Sequence, residues 1–201
     1  MTLKLGVLAS GRGSNLQAVL DAIDAGKLDA QVAMVISDKQ NAYALERAAS
    51  RGIPAVHLPP ADYPERPVYD RKVVELLKSV HVDTVVLAGY MRIVTGELLD
   101  AFPWRVVNIH PALLPSFPGL HAQRQALQYG VRYSGCTVHF VDEGLDSGPI
   151  ILQAVVPVEP DDSEDTLSAR ILKEEHRLLP EALQLLAKER LAVVGRRVII
   201  R

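Results

Sequence analysis

An amide and an imidazole lie two positions apart in the run 106–111, at Asn108 and His110. The β-branched residues around them predict a strand, and because side chains alternate between the two faces of a strand, both groups point the same way. Pro111 ends the strand and so places both at its carboxyl end, the edge where open α/β sheets bind ligands. An amide and an imidazole held side by side can donate hydrogen bonds to the oxyanion of a tetrahedral intermediate, so the pair predicts acyl transfer.

A nearby carboxylate would hold the imidazole of His110 in its charged form. Three acids share one later loop, at Asp142, Glu143 and Asp146, and the residue types alone leave the choice among them open. A covalent serine or cysteine route has little support, because the chain has no Gly-x-Ser-x-Gly motif and Cys136 falls within a predicted strand. We therefore expect direct attack on the acyl carbon by a bound nucleophile.

Three histidines could be considered as metal ligands: His110, His121 and His139. Their spacing matches no zinc-binding pattern. We therefore predict no metal site.

A glycine-rich turn, residues 10–15, follows the first predicted strand and leads into a helix. Backbone N–H groups at the start of a helix bind anions, and the hydroxyl of Ser14 and the amide of Asn15 could add donors to a phosphate. Ser14 could equally be an ordinary N-cap. A dinucleotide site with Asp38 on the ribose is the competing interpretation, but Leu16 stands where its third glycine should be. The turn therefore favours a phosphate monoester.

The elements that would position these groups alternate between short β-branched runs and segments of helical period. This order predicts an α/β fold with an open, mostly parallel twisted sheet, helices on both faces and an antiparallel C-terminal edge, as in Rossmann-like proteins. The predicted strands cover residues 3–9, 32–37, 55–58, 84–89, 105–110, 134–141 and 150–156. Five helices are predicted. One covers residues 14 to Gly26, the second ends near Gly52, the third covers 67–80, the fourth covers 122–129, and the last begins at about 165.

Two features of the C-terminal part of the chain carry separate expectations. Pro180 should kink or interrupt the last long helix, because proline lacks the N–H that a helix interior needs. The tail, residues 191–200, has Gly195 between two apolar runs and predicts a hairpin at the edge of the sheet.

Composition limits the classes of partner. The 201 residues are 48% hydrophobic and 23% charged with a formal net charge of −2, which is typical of one soluble domain and provides no broad basic surface for nucleic acid. One cysteine and no apolar run long enough to span a bilayer lead us to expect a cytoplasmic protein that binds no membrane. The composition leaves open whether the chain forms a homodimer.

The segment 108–115, which reads Asn-Ile-His-Pro-Ala-Leu-Leu-Pro, resembles the hallmark of the folate-dependent formyltransferases. The resemblance extends along the whole chain and includes segments 10–15, 87–93, 117–121 and 145–150. It implies one formyltransferase domain over residues 1–201, with a phosphate-binding half at 1–105 and a folate-binding and catalytic half at 106–201.

The resemblance also implies roles for individual residues. The phosphate of glycinamide ribonucleotide would bind at Gly13, Ser14 and Asn15, and Glu175 would contact the amine or sugar of that substrate. Asp146 would keep the catalytic histidine charged, His110 would be the proton donor and Asn108 the oxyanion partner. The implied folate-binding residues are Arg66, Met91, Arg92, Ile93, Val94 and Asn108.

The implied reaction moves the formyl group of 10-formyltetrahydrofolate, a co-substrate, to the amine of glycinamide ribonucleotide in de novo purine synthesis. Two relatives with the same chemistry act on initiator methionyl-tRNA or hydrolyse the formyl-folate, and both would need extra domains for which 201 residues leave no room. A non-catalytic nucleotide-binding module would explain the glycine-rich turn but not Asn108 and His110. The expected partners are therefore small molecules.

Overall fold

A nine-stranded sheet runs through the computed structural model, which describes residues 2–201. Its spatial order is β3-β2-β1-β4-β5-β6-β7-β9-β8. The strands are β1 (Leu3–Leu8), β2 (Ala30–Ser37), β3 (Ala55–His57), β4 (Thr84–Leu87), β5 (Val106–His110), β6 (Tyr133–Phe140), β7 (Ile150–Pro157), β8 (Leu191–Val194) and β9 (Arg197–Ile200). Strands β1 to β5 pair in parallel, and β6 and β7 pair antiparallel, which confirms the predicted sheet.

Helices cover both faces of this sheet, as predicted. They are α1 (Ser14–Asp24), α2 (Tyr43–Ala49), α3 (Arg66–Ser79), α4 (Gly96–Ala101), α5 (Ala122–Tyr129) and α6 (Glu164–Ala187), with a short 3₁₀ turn at Pro60–Asp62. One hydrophobic core lies between the sheet and α1, α2, α5 and α6, and a second lies between the sheet and α3 and α4. None of the helices formed by residues 2–201 is long and apolar enough to cross a membrane.

Strand β1 shows how the sequence builds both cores. Leu5 and Val7 enter the first core, whereas Leu8 enters the second, as the two-residue period of a strand requires. Gly6 faces α3, where an added Cβ would lie 2.4 Å from a methyl of Leu77. The absence of a side chain at this position therefore allows α3 to pack directly on the strand.

The structure differs from the sequence-based expectation at two helices. Helix α4 was not predicted, because six residues carry too little periodic pattern. The predicted interruption at Pro180 is wrong, since α6 continues from residue 164 to 187. A proline inside a helix costs about 3 kcal/mol, and the buried face that α6 packs against α1, β6 and β7 offsets that cost.

The C-terminal hairpin is confirmed. Strands β8 and β9 pair antiparallel across a two-residue turn that begins at Gly195, whose φ of 60° lies in the left-handed region. Strand β9 also pairs in parallel with β7, at Ile150 and Arg197. The tail thereby closes the far edge of the sheet next to the loop that follows β6.

Candidate active site

Strand β5 carries Asn108 and His110 at the carboxyl edge of the sheet. It lies between β4 and β6. Asn108 pairs with Leu87 of β4 and with His139 of β6, and His110 pairs with Thr137 of β6. The two polar side chains share one face, as the alternation of the strand predicted. His110 is only 4% exposed, so the imidazole is shielded from bulk solvent.

Asp146 is the carboxylate beside this pair. Its Oδ2 lies 3.3 Å from Nδ1 of His110 and accepts a 2.7 Å hydrogen bond from the N–H of Gly119, while its Oδ1 lies 3.5 Å from Nδ2 of Asn108. Asp142 instead accepts hydrogen bonds from Ser147 and Gly144 and shapes the loop. Of the acids that the sequence left open, Asp146 is therefore the one brought to the imidazole.

Both ring nitrogens of His110 face acceptor oxygens. Nδ1 faces Asp146, and Nε2 lies 2.8 Å from the carbonyl oxygen of Phe117. An imidazole can donate to two acceptors only when both nitrogens carry a proton. The surroundings of His110 therefore suit a doubly protonated ring, and donation to a substrate oxygen requires Nε2 to exchange its contact with the carbonyl oxygen of Phe117 for one with the substrate.

His139 also belongs to the site, although its position in the sequence predicted no role for it in the chemistry. Its Nδ1 lies 2.8 Å from the carbonyl oxygen of Phe140 and its Nε2 lies 3.1 Å from Nδ2 of Asn108. Burial lowers the pKa of His139 and so favours the neutral ring. Donation from Nδ1 leaves Nε2 as an acceptor for the Asn108 amide. The antiparallel pairing of β5 with β6 was the signal that could have revealed this contact.

No group of three or more histidine, cysteine, aspartate or glutamate side chains within residues 2–201 is arranged to hold a metal ion. Hydrogen bonds join Asn108 to His139 and Asp146, and an ion-pair contact joins Asp146 to His110.

The glycine-rich turn follows β1 and begins α1 at the same carboxyl edge of the sheet, two strands away from β5. Gly13, not Ser14, occupies the N-cap of α1, with a φ of 68° and no side-chain cap. An added Cβ at Gly13 would lie 2.8 Å from Cα and Cβ of Ala44, so only glycine fits there. The first N–H groups of α1, beginning at Ser14, are therefore free of a capping side chain and can meet an anion.

Asn15 takes a different position from the one expected. Its amide donates a 2.7 Å hydrogen bond to Oε2 of Glu175, and both side chains are more than nine-tenths buried. Burial raises the pKa of Glu175, and the Asn15 hydrogen bond opposes that shift. The side chain of Asn15 is thus committed to Glu175, which leaves its backbone N–H for an anion.

Apart from Asn108 on β5, the expected folate-binding residues fall on a segment after β4 and on the start of α3. Met91 and Ile93 are 61% and 50% exposed, and Val94 is buried. The guanidinium of Arg92 lies 4.6 Å from the centre of the Tyr69 ring. Arg66, the first residue of α3, lies one helical turn before Tyr69 and is exposed.

Comparisons with known proteins show what the whole chain is similar to. The sequence model of one family, described as formyl transferase, matches residues 3–183. The chain is 45% identical over 185 residues to the phosphoribosylglycinamide formyltransferase of Escherichia coli strain K12, an alignment that covers 92% of this chain and 87% of that protein. It is 49% identical to the trifunctional purine biosynthetic protein adenosine-3 of Drosophila melanogaster, over 91% of this chain but only 14% of that protein.

Solved structures give the same result. Glycinamide ribonucleotide transformylase 1 from Symbiobacterium toebii superposes with a TM-score of 0.98 at 56% identity, covering 99% of this chain and 94% of that one. A formyltetrahydrofolate deformylase from Pseudomonas syringae superposes with a TM-score of 0.91 at 31% identity, covering 100% of this chain and 66% of that one.

Proposed function

The chain belongs to the formyl transferase family, and we propose that it is an enzyme that transfers the formyl group of 10-formyltetrahydrofolate to the amine of glycinamide ribonucleotide in purine biosynthesis. The observation that carries the proposal is the cluster of Asn108, His110 and Asp146 at the carboxyl edge of the sheet, the same edge at which β1 leads into a helix start that suits a phosphate. The similarity to phosphoribosylglycinamide formyltransferases over most of both chains supports this choice of substrates.

In the proposed reaction the uncharged substrate amine attacks the formyl carbon directly. The new bond joins the amine nitrogen to that carbon, and the formyl oxygen becomes an oxyanion. Asn108 donates a hydrogen bond to the oxyanion, His110 donates a second after Nε2 leaves the carbonyl oxygen of Phe117, and Asp146 supports the imidazolium at Nδ1. The bond from carbon to N10 of the folate then breaks, and the proton lost by the attacking nitrogen reaches N10 through a water near Asp146.

The contacts of Asn108 fit this role. One N–H of the amide is directed at Nε2 of His139, at 3.1 Å. The other faces Oδ1 of Asp146 at 3.5 Å, a weak contact that can be exchanged for a stronger one. The second N–H is therefore the donor that we assign to the oxyanion.

The two substrates would meet at this cluster from opposite sides. Backbone N–H groups from Gly13 to Asn15 would hold the phosphate of the ribonucleotide, and Glu175 would contact its amine or sugar. The folate would bind on the other side, at Arg66, Met91, Arg92, Ile93, Val94 and Asn108. The exposed apolar surface of Met91 and Ile93 supports this assignment, since it suits a flat ring system.

We further propose that residues 1–201 act as one domain. The half at 1–105 would hold the phosphate and much of the folate, and the half at 106–201 would supply the catalytic groups and further folate contacts. The pairing of Asn15 with Glu175 across 160 residues supports a single unit. We propose cytoplasmic localisation, which agrees with the free, buried Cys136.

The test follows release of tetrahydrofolate from 10-formyltetrahydrofolate by absorbance, with and without glycinamide ribonucleotide. Release that requires the ribonucleotide and is lost in His110→Ala would establish the transferase. Equal release without the ribonucleotide would indicate a hydrolase, and binding of both substrates without release would indicate a non-catalytic module. The wild-type chain and His110→Ala should have similar melting temperatures, so that loss of release reports chemistry.

A further inference from the structure

The segment 91–94 has neither helical nor strand hydrogen bonds, and its position is set by side chains from elsewhere. At its C-terminal end Oδ2 of Asp70, on α3, accepts hydrogen bonds of 2.6 Å from the N–H and 2.9 Å from the hydroxyl of Thr95. At its N-terminal end the hydroxyl of Ser10 accepts a 2.9 Å hydrogen bond from the N–H of Met91. Both ends of the segment are therefore fixed.

Between these ends Arg92 is held by an aromatic ring from the same helix as Asp70. Its guanidinium lies 4.6 Å from the centre of the fully buried Tyr69 ring. The hydroxyl of Tyr69 donates a 3.2 Å hydrogen bond to the carbonyl oxygen of Leu58, which helps to orient the ring. Consecutive residues of α3 thus contact Arg92 within the segment and Thr95 immediately after it.

The arrangement is an inefficient way to stabilise the fold alone. Thr95 is the N-cap of α4, yet its side chain makes no capping hydrogen bond and donates to Asp70 instead. Threonine is among the preferred N-cap residues, and this helix forgoes that capping hydrogen bond. Asp70 is 4% exposed, and burial raises its pKa, whereas the two hydrogen bonds from Thr95 oppose that shift.

We infer that Asp70 is a positioning residue for the folate, which sets the path of segment 91–94 relative to Arg66 on the same helix. Arg66 and Asp70 are four residues apart on α3, so both lie on one side of that helix. One helix thereby fixes the spacing between the two groups of proposed folate-binding residues. This inference rests on the folate site proposed above.

The experiment compares steady-state kinetics and tetrahydrofolate binding for the wild-type chain and Asp70→Ala. We expect the KM for 10-formyltetrahydrofolate and the Kd for tetrahydrofolate to rise about tenfold or more. The KM for glycinamide ribonucleotide should stay within twofold and kcat should change less than the folate KM. A general loss of structure would alter all of these values together.

Asp83 provides a matched control at the opposite edge of the sheet. Its Oδ2 accepts a 2.9 Å hydrogen bond from the N–H of Lys4 and its Oδ1 accepts one of 2.8 Å from the hydroxyl of Thr84, so it also holds a backbone N–H and a threonine hydroxyl. Asp83→Ala should lower the melting temperature and leave folate binding unchanged. An equal rise in folate KM for Asp83→Ala would overturn the inference.

Two further variants keep the test decisive if Asp70→Ala does not fold. Thr95→Ser retains both donors to Asp70 and should retain the wild-type folate KM. Thr95→Val retains the N–H but loses the hydroxyl and should raise it severalfold. If the wild-type chain transfers formyl groups but folate binding is unchanged in both Asp70→Ala and Thr95→Val, the positioning role alone is rejected. A wild-type chain without transfer would instead reject the proposed function, and tetrahydrofolate binding would then decide the role of Asp70.

Discussion

Nε2 of His139 lies 3.1 Å from Nδ2 of Asn108, and this contact fixes which way the amide faces. His139 is 1% exposed, and its Nδ1 is satisfied by the carbonyl oxygen of Phe140. The nitrogen of the Asn108 amide must therefore face the ring, because the carbonyl oxygen would meet a lone pair. An amide held in this way presents a donor, and not an acceptor, to a substrate oxygen.

Replacing His139 should impair turnover more than binding. His139→Leu removes the acceptor and leaves an Asn108 N–H unpaired, a loss of about 1–3 kcal/mol, which corresponds to roughly 5- to 150-fold in kcat. His139→Gln offers an amide oxygen at a similar position and should retain more activity. Steady-state kinetics would check this, and equal kcat values for the two variants would count against the orienting role.

Asp146→Asn should reduce kcat by about 100-fold or more with a much smaller effect on either KM, because the neutral amide no longer supports the imidazolium. The matched control is Asp142→Asn. Asp142 lies in the same loop, but its carboxylate accepts hydrogen bonds from Ser147 and Gly144 of that loop. Its kcat should stay within a few-fold of wild type. Comparable turnover of Asp146→Asn and wild type would contradict the pairing with His110.

Gly13→Ala should weaken binding of the ribonucleotide and lower the melting temperature. A side chain at a φ of 68° costs about 1–2 kcal/mol, and the new Cβ would lie 2.8 Å from Ala44. Gly11→Ala adds its Cβ where no atom lies within 4 Å, so its melting temperature should match wild type. Thermal unfolding and the KM for the ribonucleotide would be measured for both variants. A Gly13→Ala protein with the wild-type melting temperature and KM would refute the prediction.

Asp162 should make stability depend on pH at the start of α6. Paired hydrogen bonds with Arg170 hold the pKa of Asp162 well below its ordinary value of 3.8. A carboxyl group with a lowered pKa stabilises the fold above its ordinary pKa and loses that effect as the pH falls through its folded-state value. Asp162→Asn should therefore unfold at a lower temperature than wild type at pH 7, and the difference should shrink below about pH 4. A difference independent of pH would exclude the ionised pair as its cause.

Local sequence pattern determined much of the fold and part of the site. Alternating apolar residues fixed β1 and β5, and the glycine-rich turn before α1 followed from residue types alone. The shared face of Asn108 and His110 needed only the two-residue period of a strand. Pattern was insufficient where tertiary packing decided the outcome, as in the six residues of α4 and in α6, which continues through Pro180.

Only the tertiary structure decided which distant side chains meet. Asp146 contacts His110 from a loop in which its own φ is 49°. The acidic residues of this loop do not predict that backbone conformation. Asn15 bonds to Glu175, which lies 160 residues away, and the register of β5 against β6 brings His139 to Asn108. A sequence pattern specifies the periodicity of single elements, whereas these contacts depend on strand register, loop path and side-chain rotamer, which the packing of the whole chain determines.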